Sequence, residues 1–342
     1  MPRLTIRRHG ASASIPRHPI AGNLQKPEER KANRGWTAAV ARRNSQYLQR
    51  IDFERVDGTP YAVTLTLPAW QMEQVTPVVM HRLIDVMIKY LRRHGMLHFH
   101  WIIEFTARRM PHIHMSVWMA DRYEEWDRHL RQYIVWDNNE SAVVSNVVVK
   151  WLELTEAEGL HTSSNSQDVQ LIDGNEAWLV YIAKHGIRGV KHYQRALDNM
   201  PDEWRDGAGA MWGHDRKMPV ADDSVLPMDM RAFHQFRREA RKWCCAHACM
   251  IKDPHRRAKA IGQARRSNRC CRPELSVVRP VSVWIPKDVT ISIVKGLRSR
   301  GYMIGWDAYQ WGVDELARLR DEGGSEERRR ILGKSLMEML RT

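Results

Sequence analysis

Three side chains near the middle of the chain have the types and spacing of a metal site. His112 and His114 stand two residues apart in the run PHIHMSVWM, and Glu104 is the last residue but one of the run HFHWIIEF just before them. Both runs alternate as strands do, and Thr106–Pro111 between them reads as a short basic turn. A strand's period of two puts both imidazoles on one side, roughly 6–7 Å apart along the chain. Glu104 has the parity to join them from the neighbouring strand. His98 and His100 share its face, so any of the three could supply the third ligand. Two nitrogens and a carboxylate leave positions open on a divalent ion for phosphate and water. A second group lies downstream, in EAWLVYIAKHG. The apolar spacing there predicts a short helix stopped by Gly186. Tyr181 and Lys184, three apart, then project from one helical face, a nucleophile beside a cation.

These residues must be positioned by something, and the flanking sequence supplies it. Asp57-Gly58 is a turn signal opening a strand at Tyr61–Leu67, which Pro68 ends. Val75–His94 has helical spacing and ends in Arg92, Arg93, His94 and Gly95. The two histidine-bearing strands follow. Arg122–Val135 reads as a helix, Val143–Leu154 as a strand and Thr155–Asp173 as an irregular loop before the Tyr181 helix. The pattern predicts an α+β fold: an antiparallel sheet of split β-α-β, ferredoxin-like or RRM-like type with helices on one face. A mostly helical, basic C-terminal region is expected beyond it.

In this order, the motifs resemble the HUH endonuclease superfamily, and within it the rolling-circle replication initiator (Rep) proteins of plasmids and phages. The family's Thr- and Leu-rich first strand is matched by Tyr61–Pro68. Its His-hydrophobe-His is matched by His112, Ile113 and His114, and its Tyr-x-x-Lys by Tyr181 and Lys184. Gly209–Gly213 (GAMWG) is similar to the Gly-x-x-Trp-Gly closing many such domains. The likeness covers roughly residues 57–218. It implies a single catalytic tyrosine, because Tyr193 lies too far along to be a partner nucleophile. It also implies a nick in single-stranded DNA at a replication origin through a 5′-phosphotyrosine. His112, His114 and Glu104 would hold Mg²⁺ or Mn²⁺, and Lys184 would support the reacting phosphate. Ser116 and Trp118 stand where relaxases usually carry a third histidine. A transposase or relaxase with the same chemistry, a water-using phosphodiesterase and a non-catalytic nucleic-acid-binding protein are the rival readings.

Composition fits a polyanion partner. The 342 residues carry a net charge of +14, and the 14 tryptophans exceed what a core needs, leaving stacking faces for unpaired bases. Arg108 and Arg109 on the hairpin turn, with Arg188 and Lys191 after the tyrosine, are candidate phosphate contacts. Residues 1–56 read as a basic arm, poorly ordered over its first thirty or so residues, with a helix within Trp36–Arg50. Residues 57–218 form the candidate nicking domain and 219–342 a basic accessory or DNA-binding region. Arg231–Arg279 holds fourteen Lys/Arg against three Asp/Glu. Cys244, Cys245, His247, Cys249, Cys270 and Cys271 could hold zinc, but their spacing matches no paired C-x-x-C pattern; the other reading is free thiols in a reducing cytoplasm. No apolar run approaches a membrane span. No P-loop signature occurs, so unwinding would fall to a host helicase, with a host polymerase extending the 3′ end.

Overall fold

The computed structural model describes residues 1–15, 35–173, 186, 188–205, 207–267 and 280–321. In chain order the strands and helices are β1 (Arg3–Arg7), β2 (Gly10–Ser14), α1 (Ala38–Leu48), β3 (Thr59–Leu65), α2 (Pro77–Arg93), β4 (Met96–Phe105), β5 (Pro111–Met119), β6 (Arg122–Asp127) and β7 (Gln132–Asp137). After them come α3 (Glu140–Ala157), β8 (Asp168–Leu171), α4 (Asp202–Arg205), β9 (Trp212–His214) and β10 (Ser224–Pro227). The last are α5 (Met230–Cys249), α6 (Pro254–Ser267), β11 (Val281–Val283), α7 (Lys287–Arg298) and α8 (Trp306–Asp321).

The described chain divides into two units. One contains residues 35–48 and the described part of 52–220, built on a five-stranded antiparallel sheet in the order β8-β3-β5-β4-β9. Taken as β3-α2-β4-β5-α3-β8, its first four strands lie in the split β-α-β arrangement, with the β6–β7 hairpin inserted after β5. The α+β class expected from the sequence is the one observed. Val63, Leu65, Trp101, Ile103, Phe105, Ile113, Met115 and Val117 form the apolar face, buried together with Met80, Leu83, Met87 and Leu91 of α2 and Val143, Val147 and Trp151 of α3. At roughly 1.5–3 kcal/mol for each large side chain removed from water, this layer is the main reason the sheet holds its register. Thr76 caps α2 by accepting from the Val79 N–H, with Pro77 in the first turn.

Three local expectations are corrected. Arg122–Val135 is not a helix but the β6–β7 hairpin. Its turn is set by Asp127, whose Oδ1 accepts from the N–H groups of His129 and Leu130 at 2.7 and 2.9 Å, and by Arg131 at φ 51°. Val143–Leu154 is not a strand but lies within α3. Its buried residues, Val143, Val147, Trp151 and Thr155, recur every four positions, and Asn139 caps it through the Ala142 N–H. The stretch read as loop contains β8, the edge strand beside β3.

The other unit contains residues 1–15, 49–51 and the described residues from 221 on. Its four-stranded antiparallel sheet has the order β10-β1-β2-β11. The first fourteen residues, read from sequence as part of a poorly ordered arm, are instead its two central strands. Leu4, Ile6, Ala11 and Ala13 point into a core shared with Phe233 and Phe236 of α5 and Val294 and Leu297 of α7. The helix expected within Trp36–Arg50 is α1, in the first unit. No helix among the described residues is long and apolar enough to cross a membrane.

Candidate functional site

The face of the β3-β5-β4 sheet opposite the apolar layer carries the polar residues. Register pairs Glu104 with His112, Ile102 with His114 and Thr64 with His114, so these side chains share one side. Glu104, His112 and His114 each offer a ligand atom, and these atoms all lie within 4.8 Å of one another. They are the only such acid, histidine and cysteine cluster among the described residues. The imidazoles meet edge to face with centroids 4.6 Å apart. His114 Nδ1 lies 3.1 Å from Thr64 Oγ1, and its Nε2 lies 3.8 Å from Glu104 Oε2. A Thr64 hydroxyl accepting from Nδ1–H leaves the Nε2 lone pair directed at the cluster, the tautomer a metal ligand needs.

His98 and His100, the alternatives for a third ligand, are turned to other acceptors. His98 Nδ1 lies 3.0 Å from Asp215 Oδ2, and His100 Nε2 lies 2.8 Å from Asn44 Oδ1 on α1. Asp215 also accepts from Arg92 at 2.9 Å. Burial pushes the Asp215 carboxyl up, but the hydrogen bonds from His98, the Lys217 N–H and Arg92 outweigh it and hold the pKa below the ordinary aspartate value.

Glu104 is fully buried and therefore needs compensation. Arg195 Nε donates to Glu104 Oε1 at 2.7 Å, and Arg188 Nη1 donates to Oε2. The Arg195 side chain has no exposed surface; its Nη1 donates to the Arg188 carbonyl at 2.6 Å and its guanidinium stacks 3.9 Å above Trp36. Trp36 is fixed in turn by an Nε1–H bond to the Ile103 carbonyl at 2.7 Å. Burial lowers the Arg195 pKa against the opposing pull of Glu104. A carboxylate has about four lone-pair sites. The two arginines occupy two of them, and His114 Nε2 lies on the Oε2 side. Two imidazole nitrogens and this oxygen make a mixed N/O donor set, which suits Mn²⁺ better than the oxygen-preferring Mg²⁺.

Tyr181 and Lys184 lie outside the described residues. Of the candidate phosphate contacts, Arg108 and Lys191 are exposed. Arg109, at φ 64°, donates to the Met200 carbonyl and lies 3.6 Å from Asp202, so its charge is directed at the protein's own acceptors. Arg188 reaches inward to Glu104 rather than outward. Thr64, Trp36, Asn44 and Arg195 are supporting residues that the sequence alone does not single out. Thr64 carries a usable signal: it stands in the Tyr61–Pro68 strand with inward parity. Arg195 carries none, being an arginine in irregular chain.

The Gly209–Gly213 signal has a packing explanation. Gly209 sits at φ 67° with His81 so close that a Cβ would meet its Nε2 at 2.5 Å, and a Cβ on Gly213 would meet the Trp101 ring at 2.6 Å. Trp212 between them joins Tyr47, His100 and His214 in an aromatic group on the polar face. Cys244, Cys245 and Cys249 are free thiols, and burial pushes the Cys244 thiol up to about 11. Cys270 and Cys271 lie outside the described residues.

Residues 60–154, which include all but the first residue of β3, the whole of β4 and β5 and all three clustered ligands, match the model of the replication-associated protein ORF2/G2P family. The chain is 30% identical over 270 residues to the replication-associated protein G2P of Pseudomonas phage Pf3, covering 78% of this chain and 87% of that protein. It is 27% identical over 318 residues to a protein of Xylella fastidiosa strain 9a5c named as a replication protein, covering 89% and 99%. A protein of Xylella fastidiosa strain Temecula1 named in the same way is 28% identical over 282 residues. No solved structure matches the chain. On the family match over the three central strands of the sheet and the similarity to the Pf3 protein over most of both lengths, this chain belongs to the ORF2/G2P family of replication-associated proteins.

Proposed function

We propose that this protein is a plasmid or phage rolling-circle initiator of the HUH type, which nicks and rejoins single-stranded DNA at a replication origin. The observation that carries the reading is the convergence of Glu104, His112 and His114 on one sheet face, inside the segment that matches a replication-associated family. In this reading Tyr181 is the nucleophile. Its phenol gives up a proton and the oxygen attacks the scissile phosphorus; the P–O3′ bond breaks, and the 3′ oxygen takes a proton. The products are a 5′-phosphotyrosine on the protein and a free 3′-hydroxyl that can prime synthesis. Lys184 stabilises the phenolate, whose pKa near 10 in a free tyrosine makes a neighbouring cation useful. A divalent ion, Mg²⁺ or Mn²⁺, held by His112, His114 and Glu104 would polarise the scissile phosphate and offset its developing charge.

The chain's own residues prepare that site. In this reading Thr64 accepts from the His114 Nδ1–H and orients the ring, while Arg195 holds the Glu104 carboxyl in a fixed orientation. Arg108, four residues after Glu104, and Lys191, ten residues after Tyr181, are exposed, and this reading assigns them to the DNA backbone. Single-stranded DNA at the origin is the partner, with host helicase and polymerase completing the replication cycle in the cytoplasm.

The test is incubation of the purified protein with a labelled single-stranded oligonucleotide pool and Mn²⁺, resolved on a denaturing gel beside Tyr181→Phe. A labelled protein band that disappears with Tyr181→Phe or with chelator is expected. Cleavage without the adduct would assign water as the nucleophile. Binding with neither, over a pool tiling the native replicon, would leave a non-catalytic DNA-binding protein.

A further inference from the structure

The second unit holds most of the chain's excess charge in one place. Residues 230–267 carry eleven Lys/Arg against two Asp/Glu, which is nine of the net +14. They fold as α5 and α6, a helical hairpin. Ala232, Phe233, Phe236 and Ala240 turn one side of α5 into the core. The helical period then places Arg238, Arg241, Lys242 and Cys245 on the side away from it. The return of the chain through α6 brings Arg265 beside them. Arg241, Lys242, Cys245 and Arg265 line an open cavity of about 430 Å³.

The two acids of the hairpin leave this cavity positive. Asp253 accepts the Arg256 N–H at 2.6 Å and caps α6. Glu239 lies 3.4 Å from Lys242 and 3.3 Å from Arg300. Burial pushes its pKa up, but these cations and Gln235 hold it below the ordinary glutamate value, so it stays ionised. Among the described residues no carboxylate pairs with Arg241 or Arg265.

We propose that the α5–α6 cavity is a second nucleic-acid site, one that grips the phosphate backbone of duplex DNA without reading its sequence. A site for a small organic ligand is a closed concavity that buries most of its occupant; this one is open and has three cations in its lining. A site for unpaired bases needs stacking faces, and no aromatic ring is among the described residues that line the cavity. Cations set along a helical pair suit a rigid polyanion, and duplex DNA presents one charge per roughly 1.7 Å of its axis. The site is separate in sequence from Glu104, His112 and His114, and it does not depend on their chemistry.

The test is fluorescence anisotropy of the full chain with a labelled duplex of about 30 base pairs of scrambled sequence, from roughly 50 to 200 mM salt. The triple variant Arg241→Gln, Lys242→Gln, Arg265→Gln should bind at least about tenfold more weakly at 100 mM. Its plot of log Kd against log salt should flatten by about 1 for each phosphate that the variant no longer neutralises. The charge-keeping variant Arg241→Lys, Arg265→Lys should retain most of the affinity, which separates lost charge from lost fold. The titrations are run with chelator present, so the outcome is independent of the nicking reading. An unchanged salt slope in the triple variant would overturn the proposal. An equal loss of affinity for an unstructured single strand of the same length would overturn the duplex assignment.

Discussion

Arg195 is a cation without solvent, held between a carboxylate, a carbonyl and an indole face. Removing one member of a buried ion pair leaves the other uncompensated, typically at 3–5 kcal/mol. Arg188 still reaches Glu104, so Arg195→Met should cost about 3 kcal/mol, the low end, in urea unfolding. Arg195→Lys restores charge but not the fork that meets two acceptors at once, and should fall between. A methionine variant as stable as the parent would mean the Glu104 charge is not held by this contact. Asp215 makes the complementary prediction. Its folded carboxyl titrates below the ordinary aspartate value. Its contribution is therefore present above about pH 4, the unfolded value, and is lost as pH falls through the folded one. Asp215→Asn should cost roughly 1.5–3 kcal/mol at pH 7, the range for hydrogen bonds to a charged group. The gap to the parent should narrow below pH 4. Denaturation at pH 7 and pH 3.5 measures it, and a constant gap would exclude the ionised hydrogen bonds as its source.

At the scale of elements, β9 tests how the sheet tolerates its closing strand. Gly213 pairs with Trp101 across β4, with no room for a side chain. Gly213→Ala should force the indole or the strand aside and cost about 1–3 kcal/mol, as overpacking does. Thermal unfolding reads this directly; no loss of stability would show that Trp101 moves freely. The same scale shows what is legible in the sequence. The β4–β5 pair is, because strict alternation on both strands fixes which side Glu104, His112 and His114 share. α2 is, because its stripe runs unbroken to a basic end and Gly95. α3 is not: its run of valines has strand propensity, and only the packing of Val143, Val147 and Trp151 against the sheet makes it a helix. The β6–β7 hairpin escapes for the converse reason. Its exposed aromatics, Trp126 and Tyr133, pair across strands rather than facing a core, so the alternation that marks a half-buried strand is absent.

For the molecule as a whole, a linear division of the sequence misplaces its beginning. The first fourteen residues are rich in small and basic side chains, and nothing local says that they pair with strands more than two hundred positions away. Yet β1 lies between β10 and β2, and β2 between β1 and β11, at the centre of the second sheet. Leu4 and Ile6 are buried with Phe233 and Phe236. Gln49, from the connection between α1 and β3, donates to the Val283 carbonyl and is fully buried in the same unit. Deleting residues 1–15 would remove two central strands, leave β10 and β11 without partners, and expose apolar side chains worth roughly 1.5–3 kcal/mol each for the larger ones. Total stabilities are only about 5–15 kcal/mol, so the second unit should not fold without them. The first unit, whose sheet and core use none of these residues, should survive. Calorimetry or limited proteolysis of the deleted chain should therefore show protection of 52–173 and loss of protection across 221–267. Uniform protection would refute this division, and loss of both units would mean that the first cannot stand without the second.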